Sequence, residues 1–149
     1  PLFITNALEN QPLPLYGDGL YVRDWLYVED ACQALLLILE EGKIGEVYNV
    51  GGGELKTNLE VTELILKTLG KPRSLIQFVK DRPGHDRRYA LNSEKIKTQL
   101  GFEPSVNFQE GLKRTIKWYQ ENQSWWKRIK TGEYLEYYQR QYGSRLKKN

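Results

Sequence analysis

Between Glu46 and Gly70 the chain spells out a strand, a turn and a helix, and this order constrains the fold more than any other stretch. Glu46-Val47-Tyr48-Asn49-Val50 is β-branched and aromatic, and it runs into Gly51-Gly52-Gly53. Thr57-Asn58-Leu59-Glu60 then has the spacing of a capping box, with Thr57 as the cap and Glu60 reaching back. Val61, Leu64, Ile65 and Leu69 follow on one helical face, and Gly70 supplies the stop. A strand leading through glycines into a capped helix belongs to mixed α/β architecture.

The flanking segments extend that pattern. Leu2 to Asn10 is expected as a short helix broken at Gln11-Pro12, followed by extended Leu13-Pro14-Leu15-Tyr16 and a turn at Gly17-Asp18-Gly19. Tyr21 to Val28 alternates as a strand does. Glu29 and Asp30 place two acids at the start of a helix running to Glu41, with an expected buried stripe of Ala31, Ala34, Leu35, Ile38 and Leu39. A strand is expected at Leu75–Val79, then a helix from Ser93 to Leu100 closed by Gly101. A second box-like start at Asn107-Phe108-Gln109-Glu110 opens a helix carrying Leu112, Ile116 and Tyr119. The fold class is α/β, with few β–α units and therefore a small sheet.

At 149 residues, 40% hydrophobic and 28% charged, the chain has the size and balance of one globular domain. A net charge of +3 admits an anionic ligand but falls well short of a dedicated nucleic-acid binder. The longest apolar run, Ala34 to Leu39, is far below the roughly 18 residues of a membrane span. No membrane partner is expected, and a cytoplasmic location is the default. Cys32 has no second cysteine to pair with and is expected to be a small buried residue. One histidine and one cysteine exclude a metal site of ordinary spacing.

Candidate chemistry concentrates in Val79-Lys-Asp-Arg-Pro-Gly-His-Asp-Arg-Arg-Tyr-Ala-Leu-Asn92, where Lys80, Arg82, Arg87, Arg88 and the single histidine, His85, surround a Pro83-Gly84 turn. Guanidinium forks match phosphate oxygens bidentately, and Tyr16, Tyr21 and Tyr89 offer faces for a base or sugar. Arg23 lies near another strand end, and Asn58 sits in the first turn of a helix, where free N–H groups attract anions. Arg87 and Arg88 fit a solvated face or pairing with Asp81 or Asp86 as well as they fit a ligand. The triglycine at 51–53 is a weak dinucleotide signal, and no Walker loop, Gly-x-Ser-x-Gly elbow or Tyr-x-x-x-Lys couple occurs.

Three segments carry a resemblance: Gln11-Pro-Leu-Pro-Leu-Tyr-Gly-Asp-Gly19, Val22-Arg-Asp-Trp-Leu-Tyr-Val-Glu-Asp-Ala31 and Tyr48-Asn-Val-Gly-Gly52. Together they resemble the second half of an extended short-chain dehydrogenase/reductase acting on nucleotide sugars. Asp81-Arg-Pro-Gly-His-Asp-Arg-Arg-Tyr-Ala90, with Asn58-Leu-Glu-Val61 and the Trp118-Tyr119 … Trp125-Trp126 tail, narrows it to the dTDP-glucose 4,6-dehydratases.

The resemblance implies a C-terminal nucleotide-sugar-binding portion over 1–149 with a few strands of the Rossmann sheet, the NAD-binding Rossmann domain being absent from this chain. The abrupt helical start at Pro1, reading as a cut end, agrees with this. NAD would then serve the complete enzyme, a lyase producing dTDP-4-dehydro-6-deoxyglucose, while this chain alone would hold no catalytic residue and be inactive. The implied partners are dTDP-glucose, the missing Rossmann domain and a second copy in a homodimer. The implied substrate contacts are Pro14, Tyr16, Arg23, Asn58, Arg82, His85 and Tyr142. Arg87 and Arg88 are left open, a tie to the missing lobe being one role. Another nucleotide-sugar epimerase, dehydratase or decarboxylase, a non-catalytic nucleotide-diphosphate module, and an RNA-binding protein using Arg and Tyr are the competing expectations.

Overall fold

A computed structural model describes residues 1–146. It contains two small sheets and seven α-helices among the described residues. β1 (Leu13–Tyr16) pairs in parallel with β4 (Ile76–Val79), Leu13 opposite Ile76 and Tyr16 opposite Val79. β2 (Val22–Trp25) pairs antiparallel with β3 (Glu54–Thr57), Val22 opposite Thr57. The connection from β1 to β4 passes through α3 (Asn58–Leu69), because parallel strands need a long crossover rather than a hairpin.

α3 begins as its sequence dictates. The Thr57 side chain accepts from the Glu60 N–H at 3.1 Å, and the Glu60 carboxylate accepts from the Thr57 N–H at 2.7 Å. It ends at Gly70, which takes the left-handed conformation a helix stop favours. Val61, Ile65 and Leu66 of α3 meet Ile4 and Ala7 of α1 (Leu2–Leu8), Leu13 of β1 and Ile116 of α5 (Phe108–Glu121) in the main core.

A second core joins Ala34 of α2 (Val28–Glu41) to Ile96 of α4 (Glu94–Leu100) and Phe102. The start of α2 is held through Asp30, which is 1% exposed. Its carboxylate accepts from Ser105 N–H at 3.1 Å, Ser105 Oγ at 2.6 Å and Val106 N–H at 3.0 Å. Two aromatic-rich helices, α6 (Gln123–Ile129) and α7 (Glu133–Leu146), complete the chain as described. Lys130 between them anchors back on α1, donating to Glu9 at 2.6 Å and Asn6 at 3.0 Å. No helix among the described residues is long and apolar enough to cross a membrane.

Several sequence expectations are corrected. Glu46–Val50 forms no strand, since no neighbouring strand pairs with it among the described residues; it keeps only the burial alternation, Tyr48 and Val50 partly covered and Val47 exposed. Of the expected α2 stripe, Ala34 is buried and Ile38 partly so, while Leu35 and Leu39 are exposed. Cys32 is exposed as well. The fold class needs the larger correction. The expected C-terminal substrate portion, with a few strands of the Rossmann sheet but its NAD-binding part missing, does not stand, because β1, the α3 crossover and parallel β4 form a Rossmann-type β–α–β unit within this chain.

Candidate functional site

The basic loop does not hang free. Leaving β4, it returns along β2: Val22 N–H donates to the Arg87 carbonyl at 2.9 Å, and Tyr89 N–H donates to the Val22 carbonyl at 3.1 Å. That stitch brings His85 against Arg23, 62 residues apart in sequence.

His85 is the hub. Its side chain is 5% exposed, with Nδ1 2.8 Å from Asp81 Oδ1 and Nε2 3.0 Å from Arg23 Nη2. A guanidinium only donates, so Nε2 accepts and the ring proton sits on Nδ1, pointing at Asp81. Asp81 Oδ1 also accepts from the Arg82 N–H at 2.9 Å, and the Tyr21 hydroxyl donates to Oδ2. The His85 hydrogen bond is the leading cause holding the Asp81 carboxyl below its ordinary range. The Tyr21 ring stacks on the imidazole at 3.8 Å between centroids and 12° between planes, while Tyr16 meets it edge-on at 5.9 Å.

Arg23 is held at both terminal nitrogens, three of its five N–H donors having partners. Nη1 donates to the Val22 carbonyl at 2.7 Å, Nη2 to the Asp86 carbonyl at 3.1 Å, and the guanidinium lies 4.4 Å over the Tyr89 ring. Arg82, by contrast, is exposed and joins the network only through its backbone. Arg87 forks onto Asp18 at 2.7 and 2.9 Å, which decides one open role in favour of a latch between the loop and the β1–β2 turn.

Tyr16 connects this network to a cavity of about 910 Å³. Pro14, Tyr16, Asn58 and Tyr142 line it, with Trp25, Tyr27, Phe108 and Trp118 supplying apolar wall. The Tyr16 hydroxyl accepts from Gln141 Nε2 at 3.0 Å and Arg145 Nη1 at 3.1 Å, so α7 is fastened over one side. Burial pushes the Tyr16 phenol up, but hydrogen bonds from Tyr142, Gln141 and Arg145 and the Arg145 charge outweigh it and bring the phenol below its ordinary value. Burial, then Tyr16, push the Tyr142 phenol up.

Of the seven expected contacts, then, four line the cavity, Arg23 and His85 meet behind Tyr16, and Arg82 stands at the surface. Sequence reasoning missed Gln141 and Arg145, which no local pattern marks, and treated Asp81 only as a partner for arginine. The four-residue interval from Asp81 to His85 was the available signal for that pair. Among the described residues no cluster of His, Cys, Asp and Glu suits a metal ion.

The triglycine turn is occupied by the chain itself. Gly51 N–H donates to Ser93 Oγ at 2.8 Å and Gly52 N–H to Asp24 Oδ1 at 3.1 Å, so these donors are already partnered and form no phosphate cradle.

The family model described as GDP-mannose 4,6 dehydratase matches residues 1–115. A dTDP-glucose 4,6-dehydratase from Actinoplanes is 52% identical over 126 residues, covering 85% of this chain and 39% of that protein. A crystal structure of dTDP-glucose 4,6-dehydratase from Bacillus anthracis in complex with NAD overlays at a TM-score of 0.82 with 53% identity, covering 87% of this chain and 41% of that one. The Streptomyces venezuelae enzyme with NAD bound overlays at 0.81 with 48% identity over 84% and 39%. The chain therefore spans about two fifths of the length of these relatives.

These findings correct the remaining expectations that rested on an absent Rossmann part. The chain was expected to be only a C-terminal dTDP-binding portion, its NAD motif missing and a separate Rossmann domain its partner. It carries a Rossmann-type β–α–β unit itself and overlays on structures that hold NAD. The expectation rested on the resemblance to the second half of the family and on the lack of a glycine signature, whereas the parallel crossover here is built by the Thr57-capped helix.

Proposed function

Because the chain belongs to the family described as GDP-mannose 4,6 dehydratase, we propose that it is part of an NAD-dependent dTDP-glucose 4,6-dehydratase, a lyase of deoxysugar formation. In the proposed reaction dTDP-glucose loses water across C5 and C6 and becomes dTDP-4-dehydro-6-deoxyglucose. NAD, when bound, supplies the hydride acceptor at C4 and the donor to C6, so it is regenerated.

On this reading the chain's own residues bind and orient the nucleotide sugar. Pro14, Tyr16, Asn58 and Tyr142 border it in the cavity; Arg23 and Arg82 meet its phosphate oxygens, and His85 serves the site by holding the Arg23 guanidinium through Nε2. The observation that supports this best is the convergence of Arg23 and His85, from β2 and the loop, directly behind the cavity residue Tyr16. Such a group on a rigid strand end is preorganised for an anion.

Titration of the chain with dTDP, UDP, GDP and CDP tests the reading. Tightest binding of dTDP, weakened by added salt, is the expected result. Preference for another nucleotide would move the assignment to a different nucleotide-sugar enzyme, and no binding to any would remove the site.

A further inference from the structure

We propose that Tyr21 is a positioning residue that fixes the plane of His85 and the direction of its Asp81 partner, acting on the ligand through the His85–Arg23 contact without touching it. The functional consequence rests on the reading of the Arg23–His85 pair as part of the ligand site; the geometry stands alone.

Tyr21 reaches His85 by two independent routes. Its ring covers one imidazole face at 3.8 Å and 12°, which restricts rotation of the imidazole. Its hydroxyl donates to Asp81 Oδ2, leaving Oδ1 of the same carboxylate for His85 Nδ1 at 2.8 Å. A carboxylate held at one oxygen presents the other in a defined direction, so the Nδ1–H bond has a fixed geometry, while the donor Arg23 makes Nε2 the acceptor.

The surroundings keep Tyr21 itself in place. It is 8% exposed, Arg87 lies 4.9 Å over its ring, and its backbone carbonyl accepts from Asn58 N–H at 2.9 Å. Gly17 sits at φ +58, and a Cβ there would come within 3.2 Å of Tyr21 Cε2, so this turn leaves room for the ring. A phenylalanine at position 21 would fill the same space and keep the stack. Only the route through Asp81 would be lost, which separates positioning from packing.

His85 is the only histidine in the chain, so its imidazole ¹⁵N signals are unambiguous in a long-range ¹H–¹⁵N spectrum. The parent protein is expected to show a single pattern with the proton on Nδ1. In Tyr21→Phe Arg23 still donates to Nε2, so the tautomer is expected to stay. The Nδ1–H bond to a less firmly held Asp81 should weaken, moving the Nδ1 shift, with the melting curve lowered by no more than one hydrogen bond's worth. The substitution should also weaken dTDP binding about 3- to 10-fold, the scale of one lost hydrogen bond. In a His85→Asn background the same substitution should have no further effect on dTDP.

An unaltered nitrogen pattern in Tyr21→Phe would overturn the inference, as would an equal affinity loss in the His85→Asn background. If the parent binds no dTDP, the proposed function fails, while the nitrogen pattern still decides whether Tyr21 positions His85.

Discussion

Arg87 holds Asp18 with both terminal nitrogens, at 2.7 and 2.9 Å, across 69 residues of sequence. The Arg87 hydrogen bond is the leading cause bringing the Asp18 carboxyl down to about 2 from the usual 3.8. A carboxyl depressed in the folded state contributes stability above its unfolded value and loses it as pH falls through the folded one. That contribution therefore disappears between about pH 4 and pH 2. Both side chains are half exposed, so salt screens the pair. Melting curves of the parent and Asp18→Asn, taken from pH 5 to pH 2, should converge at the acid end, and their separation at pH 5 should shrink at high salt.

Arg23 has a different dependence. Its guanidinium is already set by the Val22 and Asp86 carbonyls, so a phosphate meets a prearranged donor. Arg23→Ala should cost roughly 1.5–3 kcal/mol in dTDP binding, about 10- to 150-fold in Kd. Arg23→Lys should recover only part of it, since an ammonium cannot bond Nε2 of His85 and the carbonyls in the same fork geometry. Calorimetric titration checks both. Equal affinity in Arg23→Ala would remove Arg23 from the site.

Asp30 carries stability rather than binding. Burial pushes its carboxyl up, but the hydrogen bonds from Ser105 and Val106 outweigh that and hold it below its ordinary value. Asp30→Ala strands three donors in a nearly closed place and should cost about 2–4 kcal/mol in denaturant unfolding. Asp30→Asn keeps one oxygen as acceptor and should lose less. The sign of the pH effect is again that of a depressed acid: this anchor weakens as pH falls below the unfolded value near 3.8.

What could be read in advance divides by distance along the chain. Thr57 and Glu60 are three residues apart, and their reciprocal capping was legible in the four letters that hold them. Asn107 capping through the Glu110 N–H at 3.0 Å was legible for the same reason. Leu13–Tyr16 and the strand before Lys80 were legible from composition, but their parallel pairing was not, since register depends on a partner more than 60 residues away. Glu46–Val50 shows the converse: strand-forming letters produce no strand where nothing pairs with them. At the site, the cationic and aromatic members were readable as types. The assignments within it, Arg87 to Asp18 and Gln141 with Arg145 to Tyr16, are set by loop return and helix docking, for which the local sequence has no mark.

α2 offers the last test, because its periodicity misled. Leu35 is 65% exposed and Leu39 82%, although both fall on the stripe that a helical period assigns to the core. Only Ala34 is fully covered on that side of the helix, against Ile96 and Phe102. Leu39→Lys should then leave unfolding free energy within about 0.5 kcal/mol of the parent, since almost no apolar contact is lost. Its measurable effect should lie in association: an exposed leucine row is a surface that other apolar surfaces cover, and a charge there opposes it. Light scattering against concentration should rise less steeply for Leu39→Lys and Leu35→Lys than for the parent. A loss of several kcal/mol in either variant would mean that the row is covered in the chain's own fold.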